Sequence, residues 1–570
     1  LWMPPLPERF VISELPEFSQ HAYCEGRWPE HDSWSLSAPV GLCDDPVNQT
    51  QIPLYVDFAK DGHLAVCGNA TSGKSTFLQT LIWSLINMYT PAQLNVYAID
   101  YSNHMLQAFE EDKHIGGIMY ENDTEKTEKF FYMISDILKN RKKTVRGGSF
   151  GQYIRAHGYV MPAIVAVIDN YSSFREKTDN KYESIIWELS RDGAAFGIFL
   201  VISSGGFGSS EIQNKIADNI RNVITLDMGD KLRYIDLLRT SHIDILPEQN
   251  RKGRGLVTAD GTILEFQTAV CMEADDDYER SEKIKSACED MNLHFDGAGA
   301  APVPEIPEKP TWFSLSENPQ FNEALETGDL LPFAYEQKTA SLYSIDLSDT
   351  FCYAISGKSR SGRTETLKVI AAAAAQGNGD LCIIDSPDGQ LKHFAAKLDC
   401  AYVSSREELF DFAKELAEIF KARNRKKREL LDSGAEDAEI YRKMCSERRK
   451  WIFVSDFASF LETVYKSGEK IGSMAPFFEN ILEKGRLHNI YFVFDINTDE
   501  TVSMLSRKLY GTVSGYRTGV HLGGALSNQK IFDCSSIPYV EQTKVYKPGV
   551  GMAFDADGAT KIVLPSSKGV

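Results

Sequence analysis

The chain has 570 residues, too many for one ordinary hydrophobic core, so several compact units are predicted. Hydrophobic residues make up 43% and charged residues 25%, a balance that excludes a largely disordered or collagen-like chain. Lysine and arginine number 61 against 80 aspartate and glutamate residues, giving a net charge of −19. This charge disfavours non-specific binding to the phosphate backbones of nucleic acids.

Targeting and membrane signals are not evident. The longest apolar run, near residues 194–202, is about half of the roughly 20 residues that a helix needs to cross a bilayer. No basic segment followed by an apolar stretch opens the chain, so no signal peptide is predicted. The start at Leu1 suggests a piece of a longer protein. The ten cysteines form no C-x-x-C pair and no zinc-type spacing, which predicts reduced thiols.

The chain contains a long internal repeat. Glycine-rich loops at 68–75 and 357–364 lie 289 residues apart, each between an apolar run and a helical pattern. Two further pairs of apolar runs follow at nearly the same offset, ending at Asp100 and Asp385 (285 residues) and at Asp169 and Asp456 (287 residues). Three landmarks at nearly one offset predict a tandem duplication of one module.

Each module reads as an α/β fold. The apolar runs are short and rich in valine and isoleucine, which is typical of strands buried on both faces of a parallel sheet. Helical patterns alternate with them, so two mainly parallel, helix-flanked sheets are predicted. The predicted organisation is a lead-in packed on the first module (1–60), the first module (61–275), a proline-containing linker (276–310) and the second module (311–570).

The first loop fits the G-x-x-x-x-G-K-[ST] pattern in full and stands between a predicted strand and a predicted helix. Backbone N–H groups of such a loop surround a phosphate, and the positive end of the following helix reinforces them. Lys74 is predicted to contact the β- and γ-phosphates, Ser75 to be a ligand of Mg²⁺, and Thr76 to lie on the α-phosphate side. The predicted nucleotide-binding residues are Gly68, Asn69, Ala70, Thr71, Ser72, Gly73, Lys74, Ser75 and Thr76.

Asp169, at the end of an apolar run, is the second predicted Mg²⁺ residue. In most hydrolysing proteins of this design the next residue is a glutamate, but here it is Asn170. An amide orients water but accepts no proton at pH 7, so Asn170 is a doubtful catalytic residue beside Lys74 and Asp169. The sequence therefore predicts nucleotide binding more firmly than turnover, which would be slow or depend on another group.

Two further features of the first module leave alternatives open. Ser203 and Ser204 end a strand-like run and are either sensors of the γ-phosphate or simply the start of a polar loop. Arg221 and Arg233 are either arginine fingers acting on a neighbouring subunit or ordinary surface arginines, and the second interpretation is favoured.

The second loop departs from the pattern at its chemical positions. Its candidate residues are Gly357, Gly362, Arg363, Thr364 and Asp456. An arginine replaces the lysine, and its planar guanidinium is a poor substitute for a compact ammonium between two phosphates. The residue after Asp456 is Phe457, which offers neither a base nor a water ligand. These two changes predict lost hydrolysis and leave weak nucleotide binding open. The basic run at 421–428 lacks interleaved aromatic residues, which favours a solvated helix end over a nucleic-acid patch.

A family resemblance rests on five segments in order: GNATSGKST (68–76), AIDY (98–101), VIDN (167–170), the Ser203–Ser204 strand end and GRGL (253–256). Together they resemble the FtsK/SpoIIIE class of RecA-like P-loop motor ATPases. The tandem arrangement and the lead-in are more closely similar to the C-terminal ATPase domains of the EssC family, the motors of type VII secretion. The resemblance covers nearly the whole chain and is weaker in the second module.

The resemblance implies a function and partners. It implies an ATP- and Mg²⁺-using motor at the cytoplasmic face of the plasma membrane, tethered through upstream segments, hexameric when complete, and linked to virulence. Its partners would be WXG-type secreted proteins and other subunits of the secretion machine, with the second module recognising substrate or regulating the first. The alternative is a DNA translocase, the other activity of this family, which the net charge of −19 disfavours.

Overall fold

The computed structural model describes residues 4–31, 33–248 and 251–570, so residues 1–3 and residue 32 of the predicted lead-in lie outside it. The chain divides into two compact units, Leu1–Pro304 and Glu305–Val570. Each unit contains a ten-stranded sheet flanked by helices. The predicted α/β class with two tandem modules is confirmed. No described helix is long and apolar enough to cross a membrane, and all ten cysteines are free thiols.

The first unit alternates strands and helices along most of its length. Its strands are β1 (Ser37–Asp45), β2 (Thr50–Asp57), β3 (Leu64–Cys67), β4 (Leu94–Asp100), β5 (Ile115–Met119), β6 (Ala163–Asp169), β7 (Ile198–Ser204), β8 (Asn222–Leu226), β9 (Arg254–Ala259) and β10 (Thr262–Thr268). Its helices are α1 (Pro16–Ser19), α2 (Phe58–Asp61), α3 (Lys74–Met88), α4 (Thr124–Thr144), α5 (Phe150–His157), α6 (Tyr171–Lys177), α7 (Glu183–Asp192), α8 (Asn214–Ala217), α9 (Lys231–Leu238) and α10 (Asp277–Leu293).

The second unit repeats this plan. Its strands are β11 (Leu330–Glu336), β12 (Leu342–Asp346), β13 (Cys352–Gly357), β14 (Asp380–Ile384), β15 (Ala401–Val403), β16 (Lys450–Val454), β17 (Ile490–Asn497), β18 (Gly519–Gly524), β19 (Tyr546–Asp555) and β20 (Gly558–Val563). Its helices are α11 (Trp312–Ser316), α12 (Pro319–Thr327), α13 (Arg363–Gln376), α14 (Lys392–Lys397), α15 (Arg406–Asp432), α16 (Asp437–Met444), α17 (Phe457–Tyr465), α18 (Ala475–Lys484), α19 (Thr501–Met504), α20 (Lys508–Gly515) and α21 (Tyr539–Thr543).

The two sheets have the same strand order. The first is β2-β1-β10-β9-β8-β3-β7-β6-β4-β5 and the second is β12-β11-β20-β19-β18-β13-β17-β16-β14-β15. In the first sheet the six strands from β8 to β5 are parallel, and the other four are added antiparallel. Parallel strands place their carboxyl ends at one edge, where such sheets bind ligands. The glycine-rich loop after β3 therefore lies at that edge, with β7 and β6 beside it.

The central strands are buried on both faces, as their continuous apolar runs predicted. Every residue of β4, β6 and β7 is buried. Val165 and Val167 belong to one apolar cluster with helix α3, whereas Ile164 and Ala166 belong to another with helix α4. This alternation follows from the two-residue period of a strand.

Two predicted boundaries differ from the structure. The lead-in, residues 1–60, is part of the first sheet, because its strands β1 and β2 pair with each other and β1 pairs with β10. The segment predicted as a linker, 276–310, contains the 17-residue helix α10. Ile284, Cys288 and Met291 of this helix are buried in the core of the first unit. Proline and glycine composition after residue 296 concealed this charged helix, which has a weak apolar period.

In each unit a buried arginine on a long helix donates hydrogen bonds to backbone carbonyl oxygens. Arg141, near the end of α4, donates to the carbonyl oxygens of Phe196, Gly197 and Pro162. Arg423 of α15 donates to those of His488, Asn489 and Arg448. Arg423 belongs to the basic run at 421–428, so at this position the predicted solvated helix end is wrong, and the guanidinium satisfies buried carbonyls instead.

Three buried histidines make unfolding sensitive to acid. Burial lowers the pKa values of His63, His488 and His521 to about 4, and the Nε2 atom of each ring has no hydrogen-bond partner in the described part of the chain. The unfolded chain binds protons near pH 6.5, so each ring's contribution is present above that pH and is lost as the pH falls toward 4.

We expect the loss of unfolding free energy between pH 7 and pH 5 to be smaller by about 2 kcal/mol in His521→Asn than in the unsubstituted chain. His393→Asn, at an exposed histidine, provides the control for the loss of an imidazole. Denaturant unfolding at the two pH values measures the difference. Equal pH dependence in His521→Asn and the unsubstituted chain would contradict the burial of a neutral ring.

Candidate nucleotide-binding site

The loop between β3 and α3 has the tight backbone that a phosphate cradle requires. Thr71 and Gly73 have φ angles of 62° and 105°, in the left-handed region. A Cβ atom on Gly68 would lie 2.4 Å from Ser72 Oγ, so glycine is needed for this close approach. Gly253, in the loop before β9, donates its N–H to the Ser72 carbonyl over 2.9 Å. This hydrogen bond connects the glycine-rich loop to the loop before β9.

Lys74 begins helix α3 and folds back over its own loop. Its Nζ donates to the carbonyl oxygens of Gly68 and Asn69, each over 2.8 Å. Burial lowers the pKa of Lys74, and the negative charges of Asp169 and Glu211 oppose that decrease. An ammonium group in this position is ready to exchange loop carbonyls for phosphate oxygens.

Ser75 and Asp169 meet across the sheet edge. Ser75 Oγ donates to Asp169 Oδ2 over 2.7 Å. Asp169, 1% exposed, ends β6 and also accepts a hydrogen bond from Ser203 Oγ on its other oxygen. Burial raises the pKa of Asp169, whereas the hydrogen bonds from Ser203 and Ser75 lower it. The structure thus brings together the two residues that the sequence assigned to Mg²⁺.

These residues fit a nucleotide and its metal ion. A hydroxyl and a carboxylate oxygen are ligands that Mg²⁺ accepts, with water and phosphate oxygens completing its shell. Ser72 Oγ is buried and has no hydrogen-bond partner among the described residues, so the loop holds an unused polar atom. When bound, Mg²⁺ would be held by Ser75 and Asp169 and would offset charge on the β- and γ-phosphates.

The strand-end serines are structural partners of carboxylates in this structure. Ser203 Oγ donates to Asp169 and accepts the N–H of Asn170 over 2.9 Å. Ser204 Oγ donates to Glu211 Oε2 over 2.5 Å. Glu211 carries no motif, and its position at this site could not be found from the sequence.

Arg233 is placed neither as an arginine finger for a neighbouring subunit nor as an ordinary surface arginine. Its guanidinium lies in its own unit and donates to Asn69 Oδ1 and to the Gly205 carbonyl, each over 2.7 Å. It therefore joins the glycine-rich loop to the loop that follows β7. Arg221, by contrast, is exposed, as a surface arginine would be.

Arg233→Ala is expected to weaken ATP binding about tenfold, because charged hydrogen bonds that fix the loop contribute roughly 1.5–3 kcal/mol. Arg221→Ala should leave the affinity unchanged. Equilibrium titration with a fluorescent ATP analogue compares the two variants. Equal affinities for ATP in both variants would show that Arg233 does not order the loop.

The loop of the second unit keeps this backbone. Arg360 and Gly362 have φ angles of 64° and 99°, close to those of Thr71 and Gly73. Ser361 Oγ is buried without a hydrogen-bond partner among the described residues, like Ser72 Oγ. The two loops therefore differ in their side chains rather than in their course.

Strand pairing corrects one predicted equivalence. The first sheet pairs Ile168 with Ile202 and Cys67 with Ser204. The second sheet pairs Val454 with Phe494 and Ser356 with Ile496.

Counted from the loop glycines Gly68 and Gly357, this register places Ser455 at the position of Asp169 and Asp456 at that of Asn170. The predicted equivalence of Asp456 with Asp169 is thus wrong by one residue. The apolar run at 451–454 is followed by Ser455 and then Asp456, so the sequence alone aligned Asp456 with Asp169.

Arg363 has an internal partner. The register that places Asp456 at Asn170 also places Asp495 of β17 at Ser203. Arg363 Nη1 forms an ion pair with Asp495 Oδ1, and the two side chains are 15% and 2% exposed. Burial raises the pKa of Asp495 to about 7, and Arg363 and a hydrogen bond from Thr364 oppose the increase. The predicted residues Arg363 and Thr364 therefore serve a buried carboxylate in this structure.

A second carboxylate reaches the same loop. Asp499, just after β17, accepts the N–H of Ser359 over 3.4 Å. Asp456 caps helix α17 by accepting the N–H of Ser459 over 3.1 Å. Two carboxylates of the chain itself, Asp495 and Asp499, therefore contact residues of the second loop.

Comparison with known proteins agrees with this geometry. The model of the FtsK/SpoIIIE family matches residues 30–270. ESX secretion system protein EccC of Geobacillus thermodenitrificans is 25% identical over 430 residues, 74% of this chain and 27% of that protein. The chain thus spans about a quarter of the length of that relative.

Solved structures show the same fold. EssC (ATPases 2 and 3) from Geobacillus thermodenitrificans has a TM-score of 0.75 and 21% identity, with 99% of this chain and 100% of that chain covered. Thermomonospora curvata EccC (ATPases 2 and 3) in complex with a signal sequence peptide has a TM-score of 0.57 and 21% identity, with 99% and 97% covered. Residues 30–270 thus match the FtsK/SpoIIIE family model, and the chain is similar to EccC in sequence and to EssC (ATPases 2 and 3) in fold.

Proposed function

We propose that the first unit binds ATP and Mg²⁺ and that the second unit serves substrate recognition or regulation in a type VII protein secretion motor. The observation that carries the proposal is the contrast between the two loops. In the first, Lys74 lies on loop carbonyls beside the Ser75–Asp169 pair. In the second, Arg363 is engaged by Asp495.

The proposed residue roles follow from this contrast. Residues 68–76 enclose the phosphates, Lys74 contacts the β- and γ-phosphates, and Ser75 and Asp169 hold Mg²⁺. Residues 357–364 keep the loop backbone without this chemistry. A unit that retains the scaffold while its loop residues contact carboxylates of the chain itself is suited to binding another protein or to control of its neighbour.

The proposed partners rest on the relatives. A solved EccC structure holds a signal sequence peptide. We extend this to the present chain as binding of WXG-type secreted proteins, together with other subunits of the secretion machine. The complete protein would be a hexamer at the cytoplasmic face of the plasma membrane, held there by segments outside this chain.

The stoichiometry of nucleotide binding tests the asymmetry of the two units. Isothermal titration of the whole chain with a non-hydrolysable ATP analogue and Mg²⁺ should give one site per chain. Omitting Mg²⁺ should weaken that site, because the metal would offset phosphate charge. Two sites of similar affinity, or none, would contradict the proposal.

The second candidate function is DNA translocation, which the FtsK/SpoIIIE model match favours. The net charge of −19 argues against it, because duplex DNA is held mainly by lysine and arginine contacts to phosphate. Binding of a duplex across a salt series discriminates between the two. Tight binding that falls steeply with salt concentration would favour the translocase; no binding would favour the secretion motor.

A further inference from the structure

The loop after β7 carries a carboxylate to the edge of the nucleotide site. Glu211 Oε2 accepts hydrogen bonds from Ser204 Oγ over 2.5 Å, from the Gly205 N–H over 3.0 Å and from Ser172 Oγ. These three donors come from the end of β7, the loop itself and the first turn of α6. All three hydrogen bonds end on Oε2.

The position of these donors places Glu211 beside the phosphate loop. Ser204 pairs with Cys67, the residue immediately before Gly68. Arg233 connects the same two loops, since it donates to both Asn69 Oδ1 and the Gly205 carbonyl. Glu211 therefore lies on the β7 side of the phosphate loop, at the strand end that pairs with the residue before Gly68.

Asn170 does not provide that carboxylate. Its backbone is in the left-handed region, with φ at 61°, and its Nδ2 donates to the Tyr101 carbonyl over 3.0 Å. The amide is thus directed toward the end of β4, while Glu211 lies on the β7 side. A neutral amide cannot accept a proton from water at pH 7.

We propose that Glu211 is the general base for ATP hydrolysis in the first unit, in place of the carboxylate missing at Asn170. This proposal rests on the proposed ATP binding by the first unit. The oxygen of the attacking water forms a bond to the γ-phosphorus, and the bond from that phosphorus to the β,γ-bridging oxygen breaks. One water proton passes to Glu211 Oε1, and the leaving ADP keeps the electron pair of the broken bond.

The test variant is Glu211→Gln, which keeps the size and the hydrogen-bond acceptor of the side chain but cannot take up the proton. Glu188→Gln is the matched control, because Glu188 is a carboxylate on α7 that contacts Lys142 over 3.1 Å. Three quantities are measured on the whole chain: affinity for ATP with Mg²⁺, the single-turnover rate of phosphate release with enzyme in excess, and affinity for ADP with aluminium fluoride. The thermal unfolding midpoint reports whether the loop is intact.

We expect Glu211→Gln to release phosphate at least about 30-fold more slowly than the unsubstituted chain and Glu188→Gln, with ATP affinity within about twofold. Binding of ADP with aluminium fluoride, which mimics the attacked phosphate with its water, should weaken at least about tenfold. The unfolding midpoint should not change.

Several results would overturn the proposal. One is an equal rate of phosphate release in Glu211→Gln and the unsubstituted chain. Another is release by the unsubstituted chain no faster than by Lys74→Ala, although the unsubstituted chain binds ATP. A parallel loss of ATP affinity or of unfolding midpoint in Glu211→Gln would assign the residue a structural role instead. Failure of the unsubstituted chain to bind ATP would refute the proposed function itself, a result that the affinity measurement distinguishes from the others.

Discussion

Lys74→Ala is expected to lower the affinity of the chain for ATP with Mg²⁺ at least about 100-fold, or about 2.7 kcal/mol. The ammonium of Lys74 already lies over the loop, 2.8 Å from two of its carbonyl oxygens, so its removal takes away the charge that would meet the β- and γ-phosphates. Fluorescence titration with an ATP analogue measures the change.

Arg363→Ala is the informative comparison, because it removes the corresponding side chain of the second loop. Its guanidinium is paired with Asp495, so we expect the affinity for ATP to stay within about twofold. Lys60→Ala, an exposed lysine on α2, controls for the loss of one positive charge. Equal losses of affinity in Lys74→Ala and Arg363→Ala would refute the asymmetric roles of the two units.

Asp495→Ala is expected to destabilise the second unit by about 1–3 kcal/mol, because it leaves the partly buried guanidinium of Arg363 without its carboxylate partner. Asp499→Ala, at an exposed aspartate close by, should cost less than about 1 kcal/mol. The double variant Arg363→Met with Asp495→Leu should recover most of the loss, since apolar side chains of similar size need no partner.

Denaturant unfolding measures these differences, and hydrogen exchange localises them to residues 305–570. Unchanged exchange protection of β13 and β17 in Asp495→Ala would show that the ion pair does not hold the second loop. Unchanged stability of the double variant relative to Asp495→Ala would show that the loss came from another cause.

Much of the fold could be predicted because its signals are local. The buried strands are continuous apolar runs, and the first phosphate loop is a complete motif between a strand and a helix. Three sequence landmarks repeat at an offset near 287 residues, which predicted the duplication. The two sheets have the same strand order, in agreement with that prediction. The charged helix α10 was not predicted because its apolar residues Ile284, Cys288 and Met291, although they have helical spacing, are few among charged residues.

The candidate site was harder to predict where it depends on register and on loops. Asp456 follows an apolar run just as Asp169 does, and only strand pairing shows that Ser455 occupies the position of Asp169. Glu211 lies in a segment rich in glycine and serine that carries no motif, and its place depends on contacts with Ser172 and Ser204. Arg233 likewise reaches Asn69 across 164 positions of sequence.

The most direct test of the asymmetry between the two units is an experimental structure of the chain with ATP and Mg²⁺. We predict nucleotide at residues 68–76, with the metal ion held by Ser75 and Asp169, and an intact Arg363–Asp495 pair in the second unit. Nucleotide bound at residues 357–364, or an empty first loop at saturating ATP, would contradict this account.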